Sequence, residues 1–446
     1  MNAKRWIVGA LIVLLAGCGV SAFIWTTNIE TEQLSTVLPD GRVLALVKTP
    51  ANGNEVRLIG TDGTLVASAP TDVALDYANT TLLLQSNDDH AIWFDEINHN
   101  IIRINVADLT AAITDTVPTP ADANVSTFEP MAKPLPDGGA ILLRNLYYAD
   151  YSVFPNQLTN YQVQLVHVGS DGVIVQTQSL TDPTQASLLR VTQNQVDISA
   201  RSPQVSGVAA VVHLDGAFNE ISRLTLPAGS TSVLEDNSGH LWVSSRQADG
   251  SESWQILDSD GNVLATPAIA CGSGRYVFTR DNHLVVATSS YVTNNKDTVC
   301  VGQYDANGQP IFEKTFTFTG QDVTVGSTPY VDDNGNVALV TRWARGPATV
   351  GMINTCVLYE SDVTMQVRFF SASGAAQGQA NFATDRSRFG WDQSSQSTCG
   401  TADNPAGVYD LITARLLGPG HMVAVANQVG GTDPQDFATL IQTVKP

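Results

Sequence analysis

The sequence predicts an all-β chain assembled from repeated four-stranded units. Three observations carry that expectation. Gly, Thr, Val, Asn and Asp are plentiful and long Leu/Glu/Lys/Ala helical runs are missing, a composition of strands and turns. Short stretches of alternating apolar residues recur, as half-buried strands require. Asp/Asn/Gly turns separate them, because tight hairpins need residues tolerant of positive φ. The 446 residues exceed one ordinary compact core, so a repeat architecture or several domains is implied.

The units follow one another along the chain as pairs of hairpins. LSTVLPDGRVLALV pairs with VRLIGTDGTLVAS, and VALDYANTTLLLQS with AIWFDEINHNIIRINV. AKPLPDGGAILLR pairs with VQLVHVGSDGVIVQTQ, and LLRVTQNQVDISA with AAVVHLDGAFNEISRLTL. SVLEDNSGHLWVSS precedes WQILDSDGNVLATP, and YVFTRDNHLVVATSS precedes VCVGQYDANGQPIFEKTF. YVDDNGNVALVTR goes with VRFFSASGAAQGQA, and LITARLLGPGHMVAVANQ with the terminal FATLIQTVKP. The first turns fall near Gly41, Asn79, Gly138, Asn194, Gly239, Asn282, Gly335 and Gly420. Most spacings are about 40–60 residues, near the period of four-stranded propeller blades.

The expected fold is therefore an eight-bladed β-propeller over residues 34–446, with an insertion at 383–410. Seven blades, with one weak unit absorbed into loops, is the alternative. The last unit owns only three strands. A strand within residues 23–33 is expected to supply the fourth and close the ring, which hides exposed edges. In such a ring all tight turns lie at one end, and the longer connections lie at the other.

The N-terminus is the most specific signal. MNAKRWIVGALIVLLAGCG has two early positive residues, an apolar run, then Leu15-Ala16-Gly17-Cys18. It resembles a bacterial lipoprotein signal peptide with its lipobox. The resemblance implies that residues 1–17 are removed and that Cys18 becomes the lipidated first residue, with 18–33 forming the tether and closing strand. Several acyl chains, at about 0.8 kcal/mol per buried CH₂, anchor stably. Gly19, with no acidic residue there, resembles the outer-membrane default, so the expected place is the outer membrane, facing periplasm or exterior. The chain departs from the pattern by staying apolar to Trp25. Residues 6–25 are long enough to span a bilayer, with Trp at each end. An uncleaved single-pass anchor in the inner membrane is the alternative.

Charge and cysteines fit an exported protein. The formal net charge is −20, which opposes nucleic-acid binding because phosphate contacts need basic patches. Besides Cys18 there are four cysteines, an even number that reads as disulfides outside the cytoplasm. Placement on the long-connection end pairs Cys271 with Cys300 and Cys356 with Cys399. No C-x-x-C and no histidine at ligand spacing accompanies them, so no zinc site is expected.

Three longer connections are the candidate partner-binding elements. Residues 145–161 carry Tyr147, Tyr148, Tyr151 and Phe154. Residues 342–354 begin with Arg342, Trp343 and Arg345, and the insertion holds Arg386, Arg388 and Trp391. Aromatics with Arg are favoured at interface hot spots. The competing reading packs these rings beneath their own loops.

Catalytic motifs are missing: there is no G-x-S-x-G, H-E-x-x-H, P-loop or G-x-G-x-x-G. Asp258-Ser-Asp-Gly-Asn lacks the acid of a calcium loop at its twelfth position, Ile269. Asp88-Asp89-His90 reads as a solvated loop cluster before a metal site. His240, His283 and His421 share one repeat position after a turn, and His167 and His213 share another. Spread around a ring, they do not converge on a metal or substrate. No catalytic residue, cofactor or metal ligand is expected.

EDNSGHLWVSS, residues 235–245, resembles the acid–Gly–Leu–Trp–Val hairpin of sensor-type and streptogramin-lyase-like propellers. The signal plus eight blades is similar to the propeller lipoprotein of the outer-membrane β-barrel assembly machinery. That family's Ala-x-Asp-x-x-Thr-Gly-x-x-x-Trp pattern is missing here, so the architecture carries no function by itself. The expected function is a membrane-anchored, protein-binding scaffold of the bacterial envelope. The alternative is a small-molecule or glycan-binding propeller, or a lyase-type enzyme, with its site at the central funnel.

Overall fold

The structure is a computed structural model. It describes residues 27–29, 32–49, 53–73, 81–118, 125–150, 157–180, 182–183, 185–201, 207–247, 251–272, 274–292, 296–319, 324–353, 356–392, 397–399, 409–429 and 437–444. The signal segment with Cys18, the anchor alternative at 6–25, and Tyr151 and Phe154 lie outside them. Among the described residues every regular element is a strand.

The strands form eight sheets. Sheet I holds β2 (Glu32–Val37), β3 (Val43–Thr49), β4 (Gly53–Ile59) and β5 (Leu65–Thr71). Sheet II holds β6 (Thr81–Ser86), β7 (His90–Asp95), β8 (Asn100–Asn105) and β9 (Ala111–Thr116). Sheet III holds β10 (Val125–Pro134), β11 (Ala140–Asp150), β12 (Gln157–Val168) and β13 (Ile174–Leu180). Sheet IV holds β14 (Ala186–Val191), β15 (Gln195–Arg201), β16 (Val208–Asp215) and β17 (Glu220–Thr225). Sheet V holds β18 (Ser230–Glu235), β19 (Leu241–Arg246), β20 (Glu252–Leu257) and β21 (Val263–Ala265). Sheet VI holds β22 (Arg275–Phe278), β23 (Leu284–Val292), β24 (Lys296–Tyr304) and β25 (Pro310–Thr319). Sheet VII has five strands, β26 (Thr324–Val331), β27 (Val337–Ile353), β28 (Cys356–Phe370), β29 (Ala376–Asp392) and β30 (Ser397–Cys399). Sheet VIII holds β31 (Tyr409–Gly418), β32 (His421–Val429) and β33 (Phe437–Val444), with β1 (Thr27–Ile29) on its edge. β1 runs antiparallel to β33, with Thr27 opposite Ile441.

The core explains why the sheets stack. Each apolar cluster joins two consecutive sheets, and sheet VIII packs back on sheet I through Val423, Val425, Val43 and Val47. The result is a β-propeller. Period-two alternation gives each strand two apolar faces, one for each neighbour. Within β7, Ala91 and Trp93 face sheet I while Ile92 and Phe94 face sheet III. In β19, Leu241 and Val243 face sheet IV and Trp242 faces sheet VI.

The tight turns have a common chemistry. Asp332 Oδ1 accepts the amide hydrogens of Asn334 (3.0 Å) and Asn336 (2.8 Å). Asp258 Oδ1 accepts those of Asp260 and Asn262, and Asp236 Oδ1 those of Ser238 and His240. A short carboxylate thus satisfies the orphan donors of each turn, which is why Asp recurs at its first position.

Two expectations are corrected. The first turn of the second unit is Asn87-Asp88-Asp89, between β6 and β7, and not near Asn79. The strand read as the second of its hairpin is the first of the sheet, so the pairing slips by one strand. VALDYANTT, with one Asp and one Asn, reads as a turn in the sequence, while the first turn of sheet II keeps its Asx geometry through Asn87 Oδ1. Second, the longer connections at 145–161, at 342–354 and in the insertion are largely strand. β27 and β29 run 17 residues each and β28 runs 15, against six or seven in half of the other strands. Each extension pairs with the next, β11 with β12 and β27 with β28 and β29, with register breaks at Arg345/Ala348 and Thr349/Gly351.

Candidate functional site

Two regions hold candidate functional residues. The first is the end of the ring where second strands turn into third strands. There β11–β12 and β27–β28–β29 extend beyond the usual strand length. Sheets III and VII stand four positions apart in the chain order of the eight sheets.

Of the expected partner-binding residues, Tyr147 and Arg342 are half-buried. Tyr147 on β11 lies opposite Ser126 and Asn160. Arg342 on β27 lies opposite Gly326 and Met365. Tyr148 follows on β11, and Trp343 and Arg345 lie on β27, while Arg386, Arg388 and Trp391 lie on β29. Their backbone register is informative. Asp362 of β28 stands between Arg345 and Arg386, and Glu360 stands opposite Arg388.

Cys271 and Cys300 form a disulfide with Cα atoms 5.3 Å apart. Cys300 lies in the middle of β24, because that strand begins at Lys296 and not at the cysteine. Cys356 is placed on β28 opposite Asp392, and Cys399 on β30 opposite Gly390; their side chains lie outside the described set.

The second region is a buried network between sheets III, IV and V. Arg190, on the first strand of sheet IV, reaches Asp197 Oδ2 at 3.3 Å and Glu235 Oε1 at 2.9 Å. His213 Nδ1 lies 2.6 Å from Asp197 Oδ1, which also accepts from Gln195 Nε2 at 2.8 Å. Lys133 of β10 donates to the carbonyl of Leu189 beside them. Asp197 is fully buried. Burial, then the neighbouring Asp197 carboxylate, pushes Glu235 up to about 9. Burial opposes ionisation of Asp197 too, but hydrogen bonds from His213, Gln195 and Glu235 hold it below the usual carboxylate range. Burial also pulls Lys133 down. The two carboxyl groups therefore differ in charge near neutrality, as environment dictates. A protonated carboxyl beside a carboxylate and a His is acid–base chemistry in kind. Here the pair is sealed, and it joins three sheets.

Sequence reasoning placed His167 and His213 in equivalent positions. The equivalence holds for the backbone and fails for the partners. His167 faces Ile141 across the ladder, whereas His213 faces Asp197. Arg190, Asp197 and Glu235 were missed. The available signal was a charge interrupting an apolar run in each of LLRV, VDIS and VLED.

A smaller polar seam joins sheets II and III at the extended end. Arg144 of β11 is fully buried and donates to Gln164 Oε1 at 2.8 Å. It lies 3.2 Å from His99 Nδ1 and 5.3 Å from the Phe94 ring centre. Burial pulls Arg144 down to about 10, and burial with the Arg144 charge pulls His99 down. His90 is buried too, and its Nε2 lies 3.0 Å from the Gly138 carbonyl. It is a turn residue locked to the next sheet, not part of a solvated loop cluster. Among the described residues no His/Cys/Asp/Glu group has the arrangement of a metal site.

No family model matches the chain, and no curated protein matches it. Solved structures do. The WD40 domain of SCAP from fission yeast is 8% identical, with 95% of this chain and 98% of that chain covered and a TM-score of 0.44. The WD40 domain of Toxoplasma gondii coronin is 8% identical, with coverages of 96% and 86% and a TM-score of 0.38. A protein of unknown function from Bacteroides caccae is 11% identical, with coverages of 61% and 93% and a TM-score of 0.28.

Proposed function

We propose that the chain is an eight-bladed propeller, closed by β1 as the outermost strand of sheet VIII, that acts as a tethered protein-binding scaffold in a bacterial envelope. The tether is Cys18 with its acyl chains, or residues 6–25 as an uncleaved anchor. One observation carries the binding role: strands extend past the ring at one end on two sheets, III and VII. Such extensions supply ladder-paired surface for a protein partner and leave the ring itself unchanged.

Crosslinking in intact envelopes, with mass spectrometry of the tethered chain, tests the reading. A reproducible single partner, lost in the Tyr147→Ala, Tyr148→Ala double variant whose melting temperature is retained, is the expected result. Absence of any protein crosslink, with a ligand-dependent rise in melting temperature, overturns it in favour of a small-molecule propeller. Mass analysis of the mature N-terminus separates a lipidated Cys18 from an intact 6–25 segment.

A further inference from the structure

The outer rim carries an arc of apolar side chains that the core does not use. Leu65, Val66, Ile113, Val175, Ile221 and Leu264 are all at least half exposed, Val175 reaching 64%. Single exposed apolar residues need no explanation; their placement does. They belong to β5, β9, β13, β17 and β21, the last strands of five consecutive sheets, I to V. Each lies within the first three residues of its strand, directly after the tight turn. The arc is therefore confined to one end of the ring, opposite the extended hairpins.

Neighbouring rims are physically joined there. Thr114 Oγ1 donates to the Gly172 carbonyl at 2.8 Å, and the Ile174 amide to Asp115 Oδ2 at 2.9 Å. Gln176 Nε2 donates to the Ala217 carbonyl at 2.7 Å. From sheet II to sheet IV the exposed side chains thus sit on one bonded rim and not on separate fins.

The chain leaves the ring at the same end. β33 runs toward the tight turns, since its last residue, Val444, pairs with Met422 just after the β31–β32 turn. β1 is antiparallel to it, so the chain preceding Thr27 departs toward those turns. Sheet VIII adjoins sheet I, where Leu65 and Val66 begin the arc. Trp25 lies only two residues before Thr27, and Cys18 nine; nine extended residues span at most about 30 Å. Either anchor holds the bilayer close to this rim.

We infer that the tight-turn rim of sheets I to V rests on a zwitterionic phospholipid surface, its apolar arc seated at the headgroup boundary. The inference depends on the membrane-tether reading above. Exposed apolar side chains gain at such a boundary in proportion to the area they bury. The lipid is zwitterionic because Asp62, Asp171, Asp215 and Asp258 occupy the adjoining turns, and an anionic surface repels them. The partner-binding end then points away from the membrane.

The test uses the full chain reconstituted into phosphatidylcholine vesicles. Separate Val175→Cys, Leu264→Cys and Ile97→Cys variants carry an environment-sensitive fluorophore, and the unsubstituted chain supplies the background. Ile97 is 44% exposed but lies in the β7–β8 turn, at the other end. The expected result is flotation with the vesicles, loss of most iodide quenching at 175 and 264, and undiminished quenching at 97. Adding phosphatidylglycerol should restore quenching at 175 and 264. Flotation with all three labels quenched overturns the rim assignment and leaves the tether standing. Failure to float overturns the tether, and the rim assignment with it. Shielding at 175 and 264 before lipid is added, with a doubled mass by sedimentation, shows that a second copy covers the arc, and overturns the assignment.

Discussion

Sheet V packs apolar side chains on both neighbours, but only one of its faces adds buried charge. Toward sheet IV, beside the cluster of Leu189, Val211, Val233 and Leu241, Glu235 joins Arg190, Asp197 and His213 in a largely buried charge network. Toward sheet VI, Trp242 and Trp254 meet Phe278 and Tyr276 with ring centres 6.0 and 5.6 Å apart. Cys271, in the same cluster, is tied to Cys300. One ring geometry accepts either filling. The apolar seam adds stability with area. The charged seam adds little net stability, because desolvation offsets attraction, and it is costly to break at one member. It follows that truncations hurt both seams, but only the charged seam responds to pH.

The largest effect is expected in the apolar seam. Trp242 is fully buried, and removing a buried Trp side chain typically costs about 3–5 kcal/mol. Trp242→Ala should lower the urea midpoint by a pH-independent amount, with the slope unchanged. A midpoint within error of the parent would mean that the two sheets do not depend on each other.

Breaking the charged seam comes next. Arg190→Ala removes the guanidinium that touches both Asp197 and Glu235 and leaves Lys133 as the nearby cation, a cost at the lower end of about 3–5 kcal/mol because Arg190 is partly exposed. Glu235→Gln sharpens the comparison. Between an ordinary carboxyl near 4.5 and the folded value near 9, the folded chain holds a proton that the unfolded chain has lost. Folded-state stability therefore falls as pH rises through that window. Below it both states hold the proton, and above it neither does. Glu235→Gln should change little near pH 4.5 and stabilise relative to the parent by a margin that grows toward pH 9. Thermal melts at intervals across that range measure the margin, and parallel curves for parent and variant would sink the protonated-carboxyl reading.

The two seams were unequally legible. The apolar one was readable because its residues announce themselves locally: LWV sits beside an Asx turn, and Cys271 and Cys300 belong to one unit. Trp242 fills the space between sheets V and VI. The charged seam draws Arg190, Asp197, His213 and Glu235 from four strands, and no local pattern shows that they meet. The same limit explains His90, whose partner Gly138 is 48 residues away. It also explains the extended hairpins. WARGPATVGMI reads as a loop because its Gly and Pro are loop residues, but it pairs with β28, with its ladder broken around Gly346-Pro347 and at Val350. Turns were legible wherever Asp or Gly met a geometric need. VALDYANTT offers an Asp and an Asn to a turn reading, and the second unit slipped because the first turn of sheet II lies at Asn87-Asp88-Asp89.

The smallest effect lies where the charged seam touches the turn of the same sheet. Gly239 has φ +87°, and a Cβ there would lie 3.4 Å from Arg190 Nη1. The backbone term alone predicts a cost of about 1–2 kcal/mol for Gly239→Ala, since an L side chain meets its own carbonyl in this region. Contact with the guanidinium adds little at that distance. Gly239→Asn should cost less, because Asn tolerates the left-handed region. Urea midpoints for both variants in the parent and in the Arg190→Ala background form a cycle. Equal costs in the two backgrounds place the whole effect in the backbone. A cost that vanishes without Arg190 would place it in the contact, and would make the turn of sheet V a working part of the charged seam.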